Sequence, residues 1–328
     1  MAASLTLERS IGALKRRLLA WELMALEGRI HPEPDKALLL FASPRGGSTW
    51  LEEMLATIPR VATIWEPLDI VNNPVVGKLG FWWRQHIPEN ADWPEAEAMF
   101  TDLFSGRTLS PYLARATTPR ELRMADRLLV KFVRGNLLLP WITKHFDLPK
   151  PVLLVRHPCA VVASMKKFGV WDGLHREPPP PPHRHDDVLR SMLERIGPTP
   201  TPAEYLARVW CINNAWILAH PRNGSDWTTV TYEELVIDPE ATLARIFKEW
   251  NMEPPPRALE LARRPSKTTL SGSPVTDPLA QLEHWRKTLN SHEQHQILSV
   301  IARCGVELYD EELLPKRMRS RPGDSDIR

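Results

Sequence analysis

The sequence predicts an α/β fold, a doubly wound parallel sheet with flanking helices. Short apolar segments recur along the chain, and segments with helical periodicity alternate with them. Strands that alternate with helices in this way build parallel βαβ units. The chain has 328 residues, of which 43% are hydrophobic, so it can bury the large core that such a sheet needs.

The strand candidates follow one another in apolar runs that are too short for buried helices. They lie in Lys36–Ala42, in the residues that end at Glu66, and in Ala125–Gly135, Lys150–Pro158 and Asp226–Leu235. The helices predicted between and after them are Thr49–Thr57, Asn136–Phe146, Ala160–Gly169 and Asp238–Asn251.

Ahead of the first strand, the chain carries an amphipathic pattern. Apolar residues recur at spacings of four and three, namely Leu7, Ile11, Leu14, Leu18, Trp21 and Ala25. We expect residues 1–30 to form a helix that packs on the domain, with homodimerisation or attachment to a membrane surface as alternatives. Residues 36–314 are predicted to form one domain, and residues 315–328 a basic and polar tail.

The composition argues against several classes of function. A net charge of +2 and a pI near 8.4 are too mild for a nucleic-acid-binding protein. The 3 cysteines are too few and too far apart for a disulfide framework or a zinc ribbon, which favours a reducing compartment. No apolar run approaches the roughly 18 residues of a membrane span. We therefore expect a cytoplasmic protein without a transmembrane segment.

A proline-rich insertion at residues 171–202 interrupts the alternation of strands and helices. It contains a predicted short helix, Asp186–Ile196, and we expect either a lid over the acceptor or a solvated surface excursion. His175, His183 and His185 lie nearby, but no pattern of cysteines and carboxylates completes a metal site around them. We therefore expect no metal.

The loop between the first strand and its helix has the composition of an anion site. Gly46 and Gly47 let the backbone turn sharply and approach a ligand, and the following helix offers unpaired N–H groups. Arg45 adds a planar cation, while Ser48 and Thr49 add hydroxyl donors. This pattern predicts a site for phosphate or sulfate.

The loop differs from that of a typical ATPase. A Walker A loop ends in Gly-Lys followed by Ser or Thr, whereas here the basic residue Arg45 precedes the glycines. A later strand ends in Arg156, where a magnesium site would carry an aspartate. A donor with several anionic groups, bound by arginines without metal, fits these residues better. A P-loop nucleotide kinase or NTPase is the alternative.

Three segments resemble the motifs of sulfotransferases that use 3′-phosphoadenosine 5′-phosphosulfate (PAPS). "SPRGGSTWL" is similar to their 5′-phosphosulfate loop, "VRHPCAVVASMKKFG" to their 3′-phosphate motif and "TVTYEELVIDPEATL" to a third shared block. The segments occur in the family's order and span Lys36 to Leu243. The resemblance implies a P-loop-like sulfotransferase domain. Arg45 replaces the lysine of cytosolic members, as in tyrosylprotein sulfotransferases.

The resemblance also implies which residues bind PAPS. The loop from Gly46 to Thr49, with the hydroxyls of Ser48 and Thr49, would hold the 5′-phosphosulfate, and Arg45 would lie near the bridging oxygen. The other implied contacts are Trp50 on the adenine, Arg156 and Ser164 on the 3′-phosphate, Tyr232 beside the base and Lys267 in a loop that closes over PAPS. Each of three residues has a structural alternative. Trp50 could be a core tryptophan, Arg156 could form a structural salt bridge, and Tyr232 could be a buried tyrosine at the end of a strand.

On the acceptor side the sequence departs from the cytosolic enzymes. Their catalytic histidine falls at Val133 or Arg134 here, so the resemblance to tyrosylprotein and carbohydrate sulfotransferases implies Glu66 as general base. A helix-capping or salt-bridged glutamate is the alternative. Lys131 would contact a sulfuryl oxygen or orient the acceptor, or else point to solvent. The aromatic segment Leu79–Trp93 and the proline-rich insertion are the expected acceptor walls.

The implied reaction is in-line transfer of a sulfuryl group from PAPS to an acceptor hydroxyl, without metal. The acceptor would be a glycan, a glycoside or another small-molecule alcohol. A non-catalytic protein that binds PAPS or its product, dimerised through the N-terminal helix, is the remaining alternative.

Overall fold

The computed structural model describes residues 20–23, 25–26, 29–30, 32–169, 181–264 and 277–319. Within these ranges, parallel strands form a 5-stranded sheet in the order β2-β3-β1-β4-β5. The strands are β1 (Leu38–Ala42), β2 (Val61–Trp65), β3 (Arg127–Val133), β4 (Val152–Val155) and β5 (Thr228–Thr231). The predicted α/β fold with a parallel sheet is confirmed.

Helices flank this sheet, and many of them begin with a proline, whose missing N–H is not needed at the first helical position. Those of the described ranges are α1 (Ser48–Leu55), α2 (Pro74–Lys78), α3 (Pro94–Phe104), α4 (Pro119–Met124), α5 (Leu139–His145), α6 (Pro158–Phe168), α7 (Asp187–Ile196), α8 (Pro202–Leu218), α9 (Tyr232–Ile237), α10 (Pro239–Glu249), α11 (Pro256–Ala262), α12 (Pro278–Thr288), α13 (Ser291–Arg303) and α14 (Lys316–Arg319).

The central strand β1 is buried on both faces. Leu39 and Phe41 join a core cluster that includes residues of α3, α6 and α8, whereas Leu38 and Leu40 join a second cluster with residues of α1, α9 and α10. Alternate side chains of a strand point to opposite faces, and both faces of a doubly wound sheet are covered. This arrangement explains why β1 is an uninterrupted apolar run.

The predicted N-terminal helix lies mostly outside the described residues, but residues 20–23 and 25–26 are helical. Leu23 and Leu26 are buried there, whereas Trp21 is 73% exposed and Ala25 is exposed. The predicted apolar stripe is therefore wrong at Trp21 and Ala25. Leu23, Leu26 and Ile30 share the same spacings of three and four, so periodicity alone fits two faces of this helix and packing selects one.

The carboxyl ends of the strands meet at one edge of the sheet, where open α/β sheets bind their ligands. The residues next to these ends are Ser43 after β1, Glu66 after β2, Arg134 after β3, Arg156 after β4 and Tyr232 after β5. Because β1 lies between β3 and β4, the loop after β1 occupies the centre of this edge. In the described ranges, no helix combines the length and the apolar character needed to cross a membrane.

Candidate active site

The loop between β1 and α1 requires glycine at two positions. A Cβ on Gly46 would lie 2.9 Å from the Ser43 carbonyl oxygen, to which the Gly46 N–H donates. Gly47 has a φ of 92°, and a Cβ there would lie 2.4 Å from Tyr232 Cδ2. Within the described residues no side chain caps α1, and its first turn carries no acidic residue. The Trp50 and Leu51 N–H groups donate to the Gly47 carbonyl oxygen, which leaves the N–H groups of Ser48 and Thr49 to bind an anion.

Ser43 anchors the start of the loop through a buried polar network. Its Oγ accepts a hydrogen bond from Asn214 Nδ2 at 2.8 Å, and Asn136 Nδ2 donates to Asn214 Oδ1 at 3.2 Å. All three side chains are buried. The loop thus starts from a fixed position, which the sequence did not reveal because its partners come from distant parts of the chain.

Two arginines converge beside this loop. Arg45 Nε donates to Ser164 Oγ at 2.9 Å, and Arg156 Nη1 donates to the Arg45 carbonyl oxygen at 3.4 Å. Burial, and then the Arg156 charge, lower the pKa of Arg45. Arg156 Nε is buried without a hydrogen-bond partner among the described residues. Two like charges and an unpaired donor are the features of a site that binds an anion.

Two aromatic side chains lie next to Arg156. Its guanidinium carbon is 4.2 Å from the Tyr232 ring centroid, and the Tyr232 and Trp50 centroids are 5.5 Å apart. Trp50 is only 7% exposed, and its Nε1 donates to the Arg264 carbonyl oxygen at 3.0 Å. The stacking of adenine on Trp50 therefore stays a prediction, beside the alternative of a core tryptophan.

His157 supports the strand end that carries Arg156. Its Nδ1 accepts from the Cys159 N–H and its Nε2 contacts the Asp310 carbonyl oxygen at 3.0 Å, so the ring is neutral. Burial lowers its pKa to about 4. Its backbone N–H donates to Glu233 at 2.9 Å, and Glu233 accepts from the Tyr309 hydroxyl at 2.8 Å. A histidine directly before a proline at a helix start was the available sequence signal for this N-cap.

Glu66 follows β2 on the other side of β1. Its N–H donates to the Lys131 carbonyl oxygen at 3.0 Å, which fixes the backbone against β3. One carboxylate oxygen lies 4.0 Å from Lys131 Nζ and the other 3.8 Å from Arg134 Nη1. The side chain is 19% exposed. Glu66 therefore reaches solvent beside two cations.

Lys131 is buried and paired, so the alternative that it points to solvent is wrong. Its Nζ lies 2.5 Å from Glu52 Oε2 and 3.0 Å from the centroid of the Trp65 ring. Burial lowers the pKa of Lys131 and raises the pKa of Glu52, although each charge partly offsets the effect on the other. No role was predicted for Glu52. Its signal was a charged residue on the otherwise apolar face of α1.

Several residues on the loops of this region have strained backbone angles. Arg45, Glu66, Arg84 and Arg134 have φ angles of 62°, 40°, 62° and 73°. Residues other than glycine seldom adopt this left-handed region, and such strain is commonly found at functional sites.

The structure thus brings the loop from Gly46 to Thr49 together with Arg45, Arg156, Ser164, Tyr232 and Trp50, and it places Glu66 and Lys131 together on the β2–β3 side. Ser164 contacts Arg45 rather than Arg156. Lys267 and His175 lie outside the described residues. Among the residues that are described, no group of three or more His, Cys, Asp or Glu side chains is arranged to hold a metal ion.

Comparison with known proteins gives one family. Residues 38–255 match the family described as "Sulfotransferase family". No curated protein matches the chain.

The chain also resembles several solved structures. The sulfotransferase domain from the Synechococcus PCC 7002 olefin synthase has 21% identity and a TM-score of 0.45, covering 85% of this chain and 98% of that one. The sulfotransferase domain from the curacin biosynthetic pathway has 17% identity and a TM-score of 0.42, covering 84% and 99%. Mouse sulfotransferase SULT7A1 complexed with PAP has 13% identity and a TM-score of 0.40, covering 87% and 89%.

Proposed function

The chain belongs to the sulfotransferase family, and from this premise we propose that it transfers a sulfuryl group from PAPS to the hydroxyl group of an acceptor. The main support is the pair of arginines, Arg45 and Arg156, beside the glycine loop at the amino end of α1. The unpaired Arg156 Nε, and a cradle at Gly46 and Gly47 that a Cβ would fill, suit a donor with several anionic groups.

In this proposal PAPS supplies the activated sulfuryl group, and the chain binds and orients it. The loop from Gly46 to Thr49 holds the 5′-phosphosulfate through the N–H groups of Gly47, Ser48 and Thr49 and the hydroxyls of Ser48 and Thr49, while the Gly46 N–H fixes the turn on the Ser43 carbonyl oxygen. The nucleotide end is held by the remaining residues that the sequence singled out, namely Trp50, Arg156, Ser164, Tyr232 and Lys267.

Arg45 stabilises the negative charge that grows on the bridging oxygen as the sulfuryl group leaves. A cation aimed at that oxygen lowers the free energy of the transition state more than that of the ground state. The hydrogen bond from Arg45 Nε to Ser164 Oγ holds the guanidinium in place before the reaction.

Glu66 accepts the proton of the acceptor hydroxyl. Lys131 lies 4.0 Å from Glu66 and is itself held by Glu52, so it positions the base and the acceptor. Residues 36–314 work as one domain in this proposal, and the acceptor is a glycan, a glycoside or another small-molecule alcohol.

Calorimetric titration with 3′-phosphoadenosine 5′-phosphate (PAP), the product of PAPS, tests the donor assignment. We expect PAP to bind without magnesium, Arg156→Ala to weaken binding by about tenfold or more, and Glu66→Gln to leave binding unchanged while transfer from labelled PAPS is lost. Arg123→Ala, at an exposed arginine of α4, is the control for a general loss of charge.

Two outcomes would contradict the proposal. A preference for ATP with magnesium would indicate a kinase or NTPase. PAP binding without transfer to any hydroxyl compound in a broad acceptor screen would indicate a non-catalytic binding protein.

A further inference from the structure

Arg134 lies next to Glu66, and its charge and that of Arg208 both act on Arg84, so we call Arg84, Arg134 and Arg208 the arginine cluster. Arg84 belongs to the loop after α2, Arg134 follows β3, and Arg208 lies on α8. The guanidinium carbon of Arg134 is 4.8 Å from the Trp83 ring centroid, and that of Arg208 is 4.8 Å from the Tyr205 ring centroid. All three arginine side chains are half-buried.

The positive charge of the arginine cluster is poorly compensated. Arg84 Nε and Arg134 Nη1 are buried and have no hydrogen-bond partner within the described part of the chain. The Glu66 carboxylate is 3.8 Å from Arg134 Nη1, beyond hydrogen-bond length. Burial, and then the charge of Arg134, lower the pKa of Arg84 to about 10; Tyr205 acts in the opposite direction, and Arg208 lowers the pKa further. Burial likewise lowers the pKa of Arg208, although its hydrogen bond with the Tyr205 side chain partly offsets this effect.

The arrangement costs folding free energy in two ways. Buried N–H donors without a hydrogen-bond partner are disfavoured, and neighbouring like charges repel. Arg84 and Arg134 also have φ angles of 62° and 73°, which strain the backbone of residues other than glycine. A ligand with negative charge would remove the electrostatic part of this cost.

The arginine cluster is separate from the donor arginines. Arg45 and Arg156 are held by Ser164 and the Tyr232 ring, whereas Arg134 and Arg208 lie over Trp83 and Tyr205. Arg134 is also the member next to Glu66. A molecule bound to the cluster therefore reaches the group that we propose as the base, which is where the acceptor must lie.

We propose that the acceptor carries an oxyanion, a carboxylate, sulfate or phosphate, which the arginine cluster binds while a hydroxyl of the same molecule faces Glu66. The planar guanidinium fork matches the two oxygens of such a group. The faces of Trp83 and Tyr205 give flat walls beside it. This inference rests on the proposed function and narrows its acceptor to an anionic alcohol.

Thermal unfolding of the PAP-saturated protein, with inorganic phosphate as the probe, tests the arginine cluster. With the donor site filled, we expect phosphate to raise the Tm of the wild type and of Arg123→Gln, but not that of Arg84→Gln or Arg208→Gln. The same shift in all four proteins, or no shift in the wild type, overturns the proposal. PAP affinity, measured for each protein, reports separately on the donor site, so failure of the proposed function is recognised independently.

The stability of Arg84→Gln without added anion gives a second readout. Because this change removes a half-buried cation that two neighbouring arginines repel, we expect the Tm to rise by roughly 2 °C. A fall in the Tm of Arg84→Gln overturns the proposal. It would mean that Arg84 only stabilises the fold, or that other residues of the chain already neutralise the arginine cluster.

Acceptor selectivity gives the third readout. In a screen with labelled PAPS that pairs each hydroxy-carboxylate with its amide, the carboxylate should be favoured by roughly tenfold in kcat/KM, and Arg208→Gln should remove this preference. If the accepted amides have a kcat/KM equal to or higher than that of the matching carboxylates, the proposal is contradicted.

Discussion

Replacing Lys131 with methionine tests whether this lysine acts through a buried ion pair. Lys131 is fully buried, and Glu52 is only 6% exposed, at an Nζ–Oε2 distance of 2.5 Å. Removing one partner of such a pair leaves an uncompensated buried charge, and the usual cost is about 3–5 kcal/mol. We expect Lys131→Met to lower the free energy of unfolding by about that amount in denaturant titrations followed by circular dichroism.

The loss of stability in Lys131→Met should increase as the pH rises. Burial raises the pKa of Glu52 in the folded wild type, and removing Lys131 takes away the attraction that opposes this rise. A carboxyl group with a raised folded pKa stabilises the fold below its unfolded pKa and ceases to do so as the pH rises through the folded value. The destabilisation by Lys131→Met should therefore be larger at pH 8 than at pH 5.

The double variant Lys131→Met with Glu52→Gln separates the pair from the packing. We expect it to regain most of the lost stability, because no unpaired charge remains. It should still transfer sulfuryl groups slowly, since Glu66 loses the cation beside it. A single variant that loses less than about 1 kcal/mol, as exposed ion pairs do, would refute the reasoning, as would a double variant no more stable than the single one.

Two further predictions concern the loop and its support. Gly47→Ala should weaken PAP binding by about tenfold or more and lower the free energy of unfolding by about 1–3 kcal/mol, because its Cβ would meet Tyr232. The control Gly80→Ala has a similar φ of 81° but no atom within 4 Å, so its PAP affinity in calorimetry should stay unchanged. The pKa of His157 is about 4 in the folded protein, against 6.5 for an ordinary histidine. As the pH falls from 6.5 to about 4, the unfolded state takes up a proton that the folded state does not. The free energy of unfolding of the wild type should therefore fall by about 3 kcal/mol over this interval. His157→Asn should flatten that slope in denaturant titrations at several pH values, and an unchanged slope would contradict the assignment.

Features that depend on neighbours in the sequence were predicted well. The strand β1, the glycine loop and α1 follow from composition and periodicity, and the structure confirms all three. Glu66 was placed at the end of a strand for the same reason. The sequence could not predict which face of the N-terminal helix is buried. Two sets of apolar residues have the same spacing, and only packing against the domain selects the face with Leu23 and Leu26.

Features that depend on partners far along the chain were beyond the sequence. Ser164 and Arg156 were predicted to face one 3′-phosphate, which stays a prediction, but the hydrogen bond that the Ser164 hydroxyl accepts from Arg45 had no signal in the sequence. Lys131 had a predicted place on β3 but no predicted partner, because Glu52 comes from α1. The strained φ angles of Glu66 and Arg84 have no signature in residue type. Each of these features depends on tertiary packing or on local backbone geometry near the carboxyl edge of the sheet.

The pairing of Lys131 with Glu52 bears on how Glu66 would work as a base. A carboxylate held in a close ion pair accepts a proton poorly, because protonation destroys that pair. Lys131 lies 2.5 Å from Glu52 but 4.0 Å from Glu66, and Arg134 lies 3.8 Å from Glu66. Both cations are thus near enough to orient Glu66 but lie beyond hydrogen-bond length, which leaves its oxygens available to a hydroxyl. Glu52 would therefore support catalysis by drawing the lysine away from the base.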